Sequence, residues 1–172
     1  MVRIFLVGYM GSGKSTVGKL VASKLGLNFV DMDSYIESKH FKTVQQIFAD
    51  QGEAVFRQIE HQCLHEIAQF ENIIIATGGG VPCFFDNMDF MNTQGITVYL
   101  QFTVDELVVR LESTHLPKRP LLAQRKEPEL SNYIANALAL REPFYERAAF
   151  RVSDEIEPTV DKICEIASKT KN

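Results

Sequence analysis

The sequence predicts an α/β fold with three layers, in which helices cover both faces of a doubly wound, parallel, five-stranded sheet. Five short apolar runs have the length of strands: Arg3–Val7, Asn28–Asp31, Ile73–Thr77, Thr97–Phe102 and Ala149–Val152. Stretches with helical spacing of apolar residues separate them, and this alternation is typical of parallel α/β proteins. The third run begins Ile-Ile-Ile-Ala without polar alternation, which favours a strand buried on both faces.

Length and composition favour one soluble domain over residues 1–172. The formal net charge of −4 argues against general binding to nucleic acid or anionic membranes. Three widely spaced cysteines without a Cys-x-x-Cys pair argue against a disulfide framework or a zinc site and favour a reducing compartment. No apolar run approaches the length of a membrane span. We therefore expect a cytoplasmic protein.

The segment Gly8–Thr16 follows the first predicted strand and leads into the first predicted helix. Strand, glycine-rich turn and helix form the context of a phosphate-binding loop, in which backbone N–H groups converge on an anion. In such a loop Lys14 can reach the β- and γ-phosphates of a nucleoside triphosphate, and Ser15 can bind Mg²⁺. A turn that merely joins a strand to a helix is the alternative. We expect ATP contacts from Gly11, Ser12, Gly13, Lys14, Ser15 and Thr16.

Two carboxylates, Asp31 and Asp33, end the second predicted strand. Ligands of open α/β sheets bind at the carboxyl ends of the strands, which predicts that both acids lie beside the phosphate loop. Residues two apart on a strand face the same side, so one carboxylate can serve Mg²⁺ while the other faces an acceptor hydroxyl. We expect Asp31 on the magnesium side. The alternative is that these acids only cap a helix that begins near Ser34.

Two arginines occur where anion binding would need them. Arg57 and Glu60 lie three apart on one predicted helix, so Glu60 can hold the guanidinium in a fixed orientation. A solvated surface pair, worth under about 1 kcal/mol, is the alternative. Arg141 falls within the apolar stripe of the last long helix, where a buried cation needs an anionic partner. A protein carboxylate is as good a candidate for that partner as a ligand.

Gly78, Gly79 and Gly80 follow the third predicted strand. Three glycines cost conformational entropy and supply no packing, so we expect a ligand to approach this backbone closely. A simple tight turn is the alternative.

The polar stretch at about 112–126 is a candidate lid that carries Arg119. A lid arginine can neutralise charge on a transferred phosphoryl group. Arg110 precedes this stretch and can stack on a nucleotide base. His61 and His65 are four apart, but no third ligand follows at a fixed spacing, so we expect them to face solvent rather than to bind a metal.

Together these marks resemble the shikimate kinase family. The resemblance covers, in family order, Gly8–Thr16, Asp31-Met32-Asp33, Phe56-Arg57-x-x-Glu60, Gly78-Gly79-Gly80, Arg119-Pro120-Leu121-Leu122 and Arg141 before Pro143-x-Tyr145. It implies a P-loop fold like that of nucleoside monophosphate kinases, with a substrate-binding insert near 32–60. It also implies transfer of the γ-phosphoryl of ATP to the 3-hydroxyl of shikimate, a step toward chorismate and the aromatic amino acids.

The resemblance also implies a role for each matching residue. Lys14 and Arg119 would contact the transferred phosphate, and Asp33 would bind the acceptor hydroxyls as the base. Arg57 and Arg141 would bind the shikimate carboxylate. Gly79 would donate from its backbone, and Phe48 and Phe56 would pack against the ring. We expect a monomer.

Two other functions remain open from the sequence. A kinase of another small polyol acid, such as gluconate, would share the phosphate loop, but it would not predict the Arg57–Glu60 pair together with three glycines. A nucleotide switch without an acceptor would need no such site. The absence of an Asn-Lys-x-Asp guanine signature argues against a GTPase.

Overall fold

The computed structural model describes residues 2–113 and 128–169. Its five strands are β1 (Arg3–Val7), β2 (Asn28–Asp31), β3 (Ile73–Ala76), β4 (Ile96–Leu100) and β5 (Phe150–Val152). Its helices are α1 (Lys14–Leu25), α2 (Met32–His40), α3 (Val44–Ile67), α4 (Asn87–Gln94), α5 (Val104–Ser113), α6 (Glu129–Tyr145) and α7 (Ile156–Lys169), with a 3₁₀ turn at Val81–Cys83.

The strands form one parallel sheet in the order β2-β3-β1-β4-β5. The predicted three-layer, doubly wound α/β fold is therefore confirmed. Each predicted strand lies within two residues of its observed bounds: β3 ends one residue early, β4 is displaced toward the N-terminus, and β5 begins one residue late. Within the described ranges, no helix combines the length and the apolar character needed to span a membrane.

The strands β1 and β3 lie in the core. Residues Ile4–Val7 of β1 and Ile73–Ala76 of β3 are buried, as expected for strands covered by helices on both faces. Except for Ala76, the buried side chains of both strands belong to the main hydrophobic cluster. A second, smaller cluster joins α2 to α3 and contains Ile36, Ile47, Phe56, Ile59 and Cys63. This second cluster packs α2 and α3, which include the predicted insert, against each other.

Local signals in the sequence explain the shape of α3. The Thr43 hydroxyl accepts a hydrogen bond from the backbone N–H of Gln46 at 3.1 Å, and the Gln46 side chain accepts one from the N–H of Thr43 at 2.8 Å. This is a complete capping box. Gly52 interrupts the helix with φ 80° and ψ 173°, a conformation that favours glycine. The kink orients the segment that carries Arg57 and Glu60.

Candidate active site

The segment Gly8–Thr16 leads from β1 through a loop at residues 8–13 into the first turn of α1, as predicted. Gly11 and Gly13 have φ of 84° and 87°, and a β-carbon on Gly11 would lie 2.9 Å from Cδ2 of Leu111. Glycine is therefore required at Gly11 for both conformation and space. Lys14 is buried, and its ammonium donates to the carbonyl oxygens of Gly8 at 2.7 Å and Tyr9 at 2.9 Å. The loop thus holds a positive charge beside the N-terminus of α1.

Asp31 joins the phosphate loop to α2. One carboxylate oxygen accepts a hydrogen bond from the Ser15 hydroxyl. The other accepts from the backbone N–H groups of Asp33 at 3.1 Å and Ser34 at 3.3 Å. The carboxylate therefore caps α2, which was the alternative to a functional role, and it also contacts Ser15. The hydroxyl and carboxylate offer two adjacent oxygen ligands, which fits Mg²⁺.

The reason given for placing Asp33 was wrong. The strand β2 ends at Asp31, and Asp33 lies in the first turn of α2, so strand alternation does not orient its side chain. The helix cap made by Asp31 starts that turn instead. The carboxylate of Asp33 nevertheless reaches the end of β3, because a β-carbon on Gly78 would lie 3.1 Å from its Oδ1.

Charged side chains pack closely against the backbone of Gly78 and Gly80, two of the three glycines after β3. A β-carbon on Gly78 would lie 2.9 Å from Oε1 of Glu60. On Gly80 it would lie 2.4 Å from Nη1 of Arg57, far inside ordinary contact. The close approach that the glycines predicted is thus made by side chains of this chain. Contact of the segment with a ligand stays a prediction.

Arg57 and Glu60 form a buried ion pair, so the alternative of a solvated surface pair is wrong. Nη1 of Arg57 lies 2.6 Å from Oε2 of Glu60, whose side chain is only 3% exposed. Glu53 contacts the same guanidinium at 2.9 Å. Burial raises the pKa of Glu60 to about 7, against the attraction of Arg57 and with a further increase from the charge of Asp33. A carboxylate in this environment binds a proton more readily than one in water.

Aromatic rings surround the guanidinium of Arg57. Its carbon Cζ lies 4.3 Å from the ring centroid of Phe84, 5.5 Å from that of Phe56 and 5.7 Å from that of Phe48. Phe48 and Phe56 also contact each other, with ring centroids 4.4 Å apart. Phe84 was not among the predicted site residues. An aromatic residue four positions after the glycine run was the available signal, but nothing in the sequence shows that it faces Arg57.

Arg141 lies where the glycine segment meets the phosphate loop. A β-carbon on Gly79 would lie 3.5 Å from Nη1 of Arg141, and 3.6 Å from both the carbonyl oxygen of Gly8 and the backbone nitrogen of Met10. Cζ of Arg141 is 5.5 Å from the ring centroid of Tyr9. Arg141 forms no ion pair with any carboxylate in residues 2–113 and 128–169. A protein carboxylate in this part of the chain is therefore not the partner of this half-buried cation.

Tyr145 supports the same segment from α6, and the sequence analysis gave it no role. Its hydroxyl donates to the carbonyl oxygen of Gly79 at 2.6 Å, and burial raises the pKa of this phenol. The phenol therefore remains a neutral donor, and its hydrogen bond holds the backbone of Gly79. The helix α6 continues through Pro143 to Tyr145, so one element carries both Arg141 and this anchor.

The nucleotide side is described only in part. Cζ of Arg110 lies 4.0 Å from the ring centroid of Phe102, and a β-carbon on Gly13 would lie 3.9 Å from Nη1 of Arg110. Arg110 therefore extends over the phosphate loop. Arg119 and most of the candidate lid at 112–126 lie outside the described residues, while α5 ends at Ser113.

The expectation that His61 and His65 face solvent was wrong. Both are half-buried, because α4 packs against their side of α3. The ring of His65 stacks on Phe90 with centroids 3.7 Å apart, and Nδ1 of His61 lies 2.6 Å from Oδ1 of Asn87. This contact joins parts of the chain that are 26 residues apart, so helical spacing alone does not reveal it.

Comparison with known proteins agrees with the geometry. The family model "Shikimate kinase" matches residues 10–170. A shikimate kinase from Parabacteroides distasonis is 51% identical over 168 residues, which cover 98% of this chain and 96% of the relative. The crystal structure of shikimate kinase from Bacteroides thetaiotaomicron superposes with a TM-score of 0.92 at 46% identity, covering 97% of this chain and 98% of that one. Shikimate kinase from Acinetobacter baumannii in complex with shikimate superposes with a TM-score of 0.87 at 34% identity. The superposition covers 99% of this chain and 95% of that one.

Proposed function

The chain belongs to the shikimate kinase family, and we propose that its site transfers the γ-phosphoryl group of ATP to the 3-hydroxyl of shikimate. The products are shikimate 3-phosphate and ADP, and the reaction is a step toward chorismate and the aromatic amino acids. The enzyme is an ATP-dependent kinase of shikimate.

One observation carries the proposal: Asp33, Arg57 and Arg141 converge on the glycine segment 78–80, which adjoins the phosphate loop. A small polyol with a carboxylate needs guanidinium groups for its anion and a carboxylate for a hydroxyl. Arg57 and Arg141 would bind the carboxylate from two sides. Asp33 would accept a hydrogen bond from the hydroxyl that reacts.

Other residues around Gly79 would shape the acceptor pocket. Phe48 and Phe56 would pack against the ring, and the backbone of the glycine segment would donate to a ring hydroxyl. Glu60 orients Arg57 through their 2.6 Å contact. With that guanidinium fixed before the acceptor arrives, less conformational entropy is lost on binding.

The phosphate side would bind ATP through Gly11, Ser12, Gly13, Lys14, Ser15 and Thr16. Lys14 and Arg119 would neutralise the charge that develops on the transferred group, and Arg110 would bind the nucleotide beside Gly13. Ser15 and Asp31 would hold Mg²⁺, which when bound supplies charge neutralisation to the phosphates. Transfer needs little covalent help, so positioning and charge neutralisation account for the rate.

Asp33 would act as the base in the transfer. The acceptor oxygen forms a bond to the γ-phosphorus, the bond from that phosphorus to the bridging oxygen breaks, and ADP leaves. The proton of the hydroxyl passes to the carboxylate of Asp33. The position of this carboxylate beside Gly78, on the same segment that Arg57 and Arg141 contact, supports this role.

The test is a coupled assay of ADP release with ATP and Mg²⁺, run with shikimate, with gluconate and with no acceptor. We expect ADP release that depends on shikimate, with one ADP per shikimate consumed. Equal or faster turnover on gluconate would assign the site to a different polyol acid. ADP release that is the same with and without shikimate would indicate a nucleotide switch.

We also propose that the enzyme is a cytoplasmic monomer that binds neither nucleic acid nor membranes. The formal net charge of −4 supports the absence of nucleic-acid binding. Size-exclusion chromatography with light scattering tests the oligomeric state, and a mass of two chains at working concentration would contradict it.

A further inference from the structure

A cluster of unused metal-binding side chains lies between α3 and α4. One ring nitrogen of His61, one of His65 and one carboxylate oxygen of Asp86 lie within 4.8 Å of one another. The two histidines are one helical turn apart on α3, and Asp86 directly precedes α4. None of the three residues takes part in the kinase site described above. The geometry points to a surface site for one divalent transition-metal ion of the Zn²⁺ class.

The hydrogen-bond network leaves His61 ready to bind a metal. Asn87 is fully buried, and its amide nitrogen donates to the carbonyl oxygen of Val81 at 2.9 Å. Its Oδ1 therefore faces Nδ1 of His61 as an acceptor, at 2.6 Å. This arrangement requires the proton of a neutral His61 ring to be on Nδ1, so Nε2 carries the free lone pair. Metal-binding histidines commonly have this support on the other ring nitrogen.

His65 and Asp86 have polar atoms that no described residue uses. Nε2 of His65 is buried and has no hydrogen-bond partner in the described ranges. Asp is a favoured helix cap, yet the side chain of Asp86 makes no cap hydrogen bond to α4.

The donor set selects the class of ion. Two imidazole nitrogens and one carboxylate oxygen suit Zn²⁺, with water in the remaining position. Mg²⁺ demands oxygen ligands in octahedral geometry and would not compete. Donors around a tetrahedral zinc ion lie about 3.3 Å apart. The three donors lie within 4.8 Å of one another, and the exposed side chain of Asp86 can rotate toward the two imidazoles when the ion binds, while Asn87 still holds His61.

Titration calorimetry of the nucleotide-free full chain, without a histidine tag and after chelator treatment, tests the site with Zn²⁺ as the probe. We expect one Zn²⁺ per chain, unaffected by excess Mg²⁺. Asp86→Asn and His65→Gln should each weaken binding about tenfold or more, since even supporting residues of metal sites commonly contribute that much. Asp86 is exposed, so its variant remains informative if His65→Gln fails to fold.

The control variants are His40→Gln and His115→Gln, which remove the other two histidines of the chain and should leave Zn²⁺ affinity unchanged. Co²⁺ absorption provides a second readout, and a spectrum without a thiolate charge-transfer band is expected. Unchanged affinity in Asp86→Asn, equal loss in a control variant, or a thiolate band from a cysteine would each overturn the proposal. Because no turnover is measured, failure here is distinct from failure of the proposed kinase function.

Discussion

The phosphate loop and the acceptor region are built in different ways, although they adjoin at Gly79. The phosphate loop is one continuous segment, Gly8–Thr16, whose geometry comes from backbone conformation and from the start of α1. The acceptor region is assembled from α2, α3, the segment after β3, and α6, which contribute Asp33, Arg57, Gly78–Gly80 and Arg141. The first is a local structure, and the second exists only when distant elements are packed together.

This difference separates two kinds of sensitivity. In the loop, Lys14 is held by carbonyl oxygens of its own segment, so a substitution there should affect chemistry with little effect on folding. In the acceptor region, Arg57 and Glu60 are buried against each other, so binding and stability share the same contacts. The predictions below test this separation.

Lys14→Ala should lower kcat by about 10³-fold, because it removes a charged donor from the transferred phosphate. The circular dichroism spectrum and the folded fraction should match those of the wild type. Lys19→Ala, which removes an exposed lysine from the same helix, is the control and should keep full turnover. Wild-type turnover in Lys14→Ala would contradict the role of the loop.

Asp33→Asn should lower kcat by about 10²-fold and leave the KM for ATP nearly unchanged, because it removes the proposed base and keeps the side-chain shape. Asp50→Asn is the control, since Asp50 is exposed and pairs only with Lys42 among the described residues. The two constants come from initial rates over a grid of ATP and shikimate concentrations. A change confined to the KM for ATP would move Asp33 to the nucleotide side.

Glu60→Gln tests whether the acceptor region is coupled to folding. The quantity compared is the pH dependence of the free energy of unfolding in the wild type and in the variant. The pKa of Glu60 is raised from 4.5 to about 7 in the folded chain, so the folded state binds this proton more tightly than the unfolded state. The contribution of Glu60 to the free energy of unfolding is therefore fully present below about pH 4.5 and is lost as the pH rises through about 7. The wild type should lose about 2 kcal/mol more unfolding free energy than Glu60→Gln between about pH 5 and about pH 8. Urea titrations measure this, and parallel pH curves would refute it.

The same difference explains what the sequence could predict. The strand runs and the loop that leads from β1 into α1 depend on neighbours within a few residues, and the structure confirms them. Asp33 was expected in the right region for a wrong reason, because the capping of α2 by Asp31 was weighed as an alternative and not as the cause.

Contacts between distant elements account for the misses. Phe84 reaches Arg57 across the gap between the 3₁₀ turn and α3, and α4 covers His61 and His65. No periodicity along one helix reports which element packs against it. The glycines indicated a close approach, but not that Asp33, Glu60 and Arg57 make it.

Gly80→Ala offers the most selective test, since it should change only the acceptor side. The backbone of Gly80 has φ −85° and ψ −22°, which alanine adopts without strain. The added carbon would meet Nη1 of Arg57 at 2.4 Å, so the guanidinium must move. We expect the KM for shikimate to rise about tenfold, the lower end of what a displaced charged hydrogen bond costs, while the KM for ATP stays constant.

Gly79→Ala is the matched variant for this test. Its added carbon would lie at ordinary contact distances, 3.5 Å from Arg141 and 3.6 Å from the phosphate loop, so the arginine need not move. Its KM for shikimate should therefore rise less than that of Gly80→Ala. If both variants raised the KM for ATP as much as that for shikimate, the two regions would act as one unit, and their division into a local loop and an assembled pocket would fail.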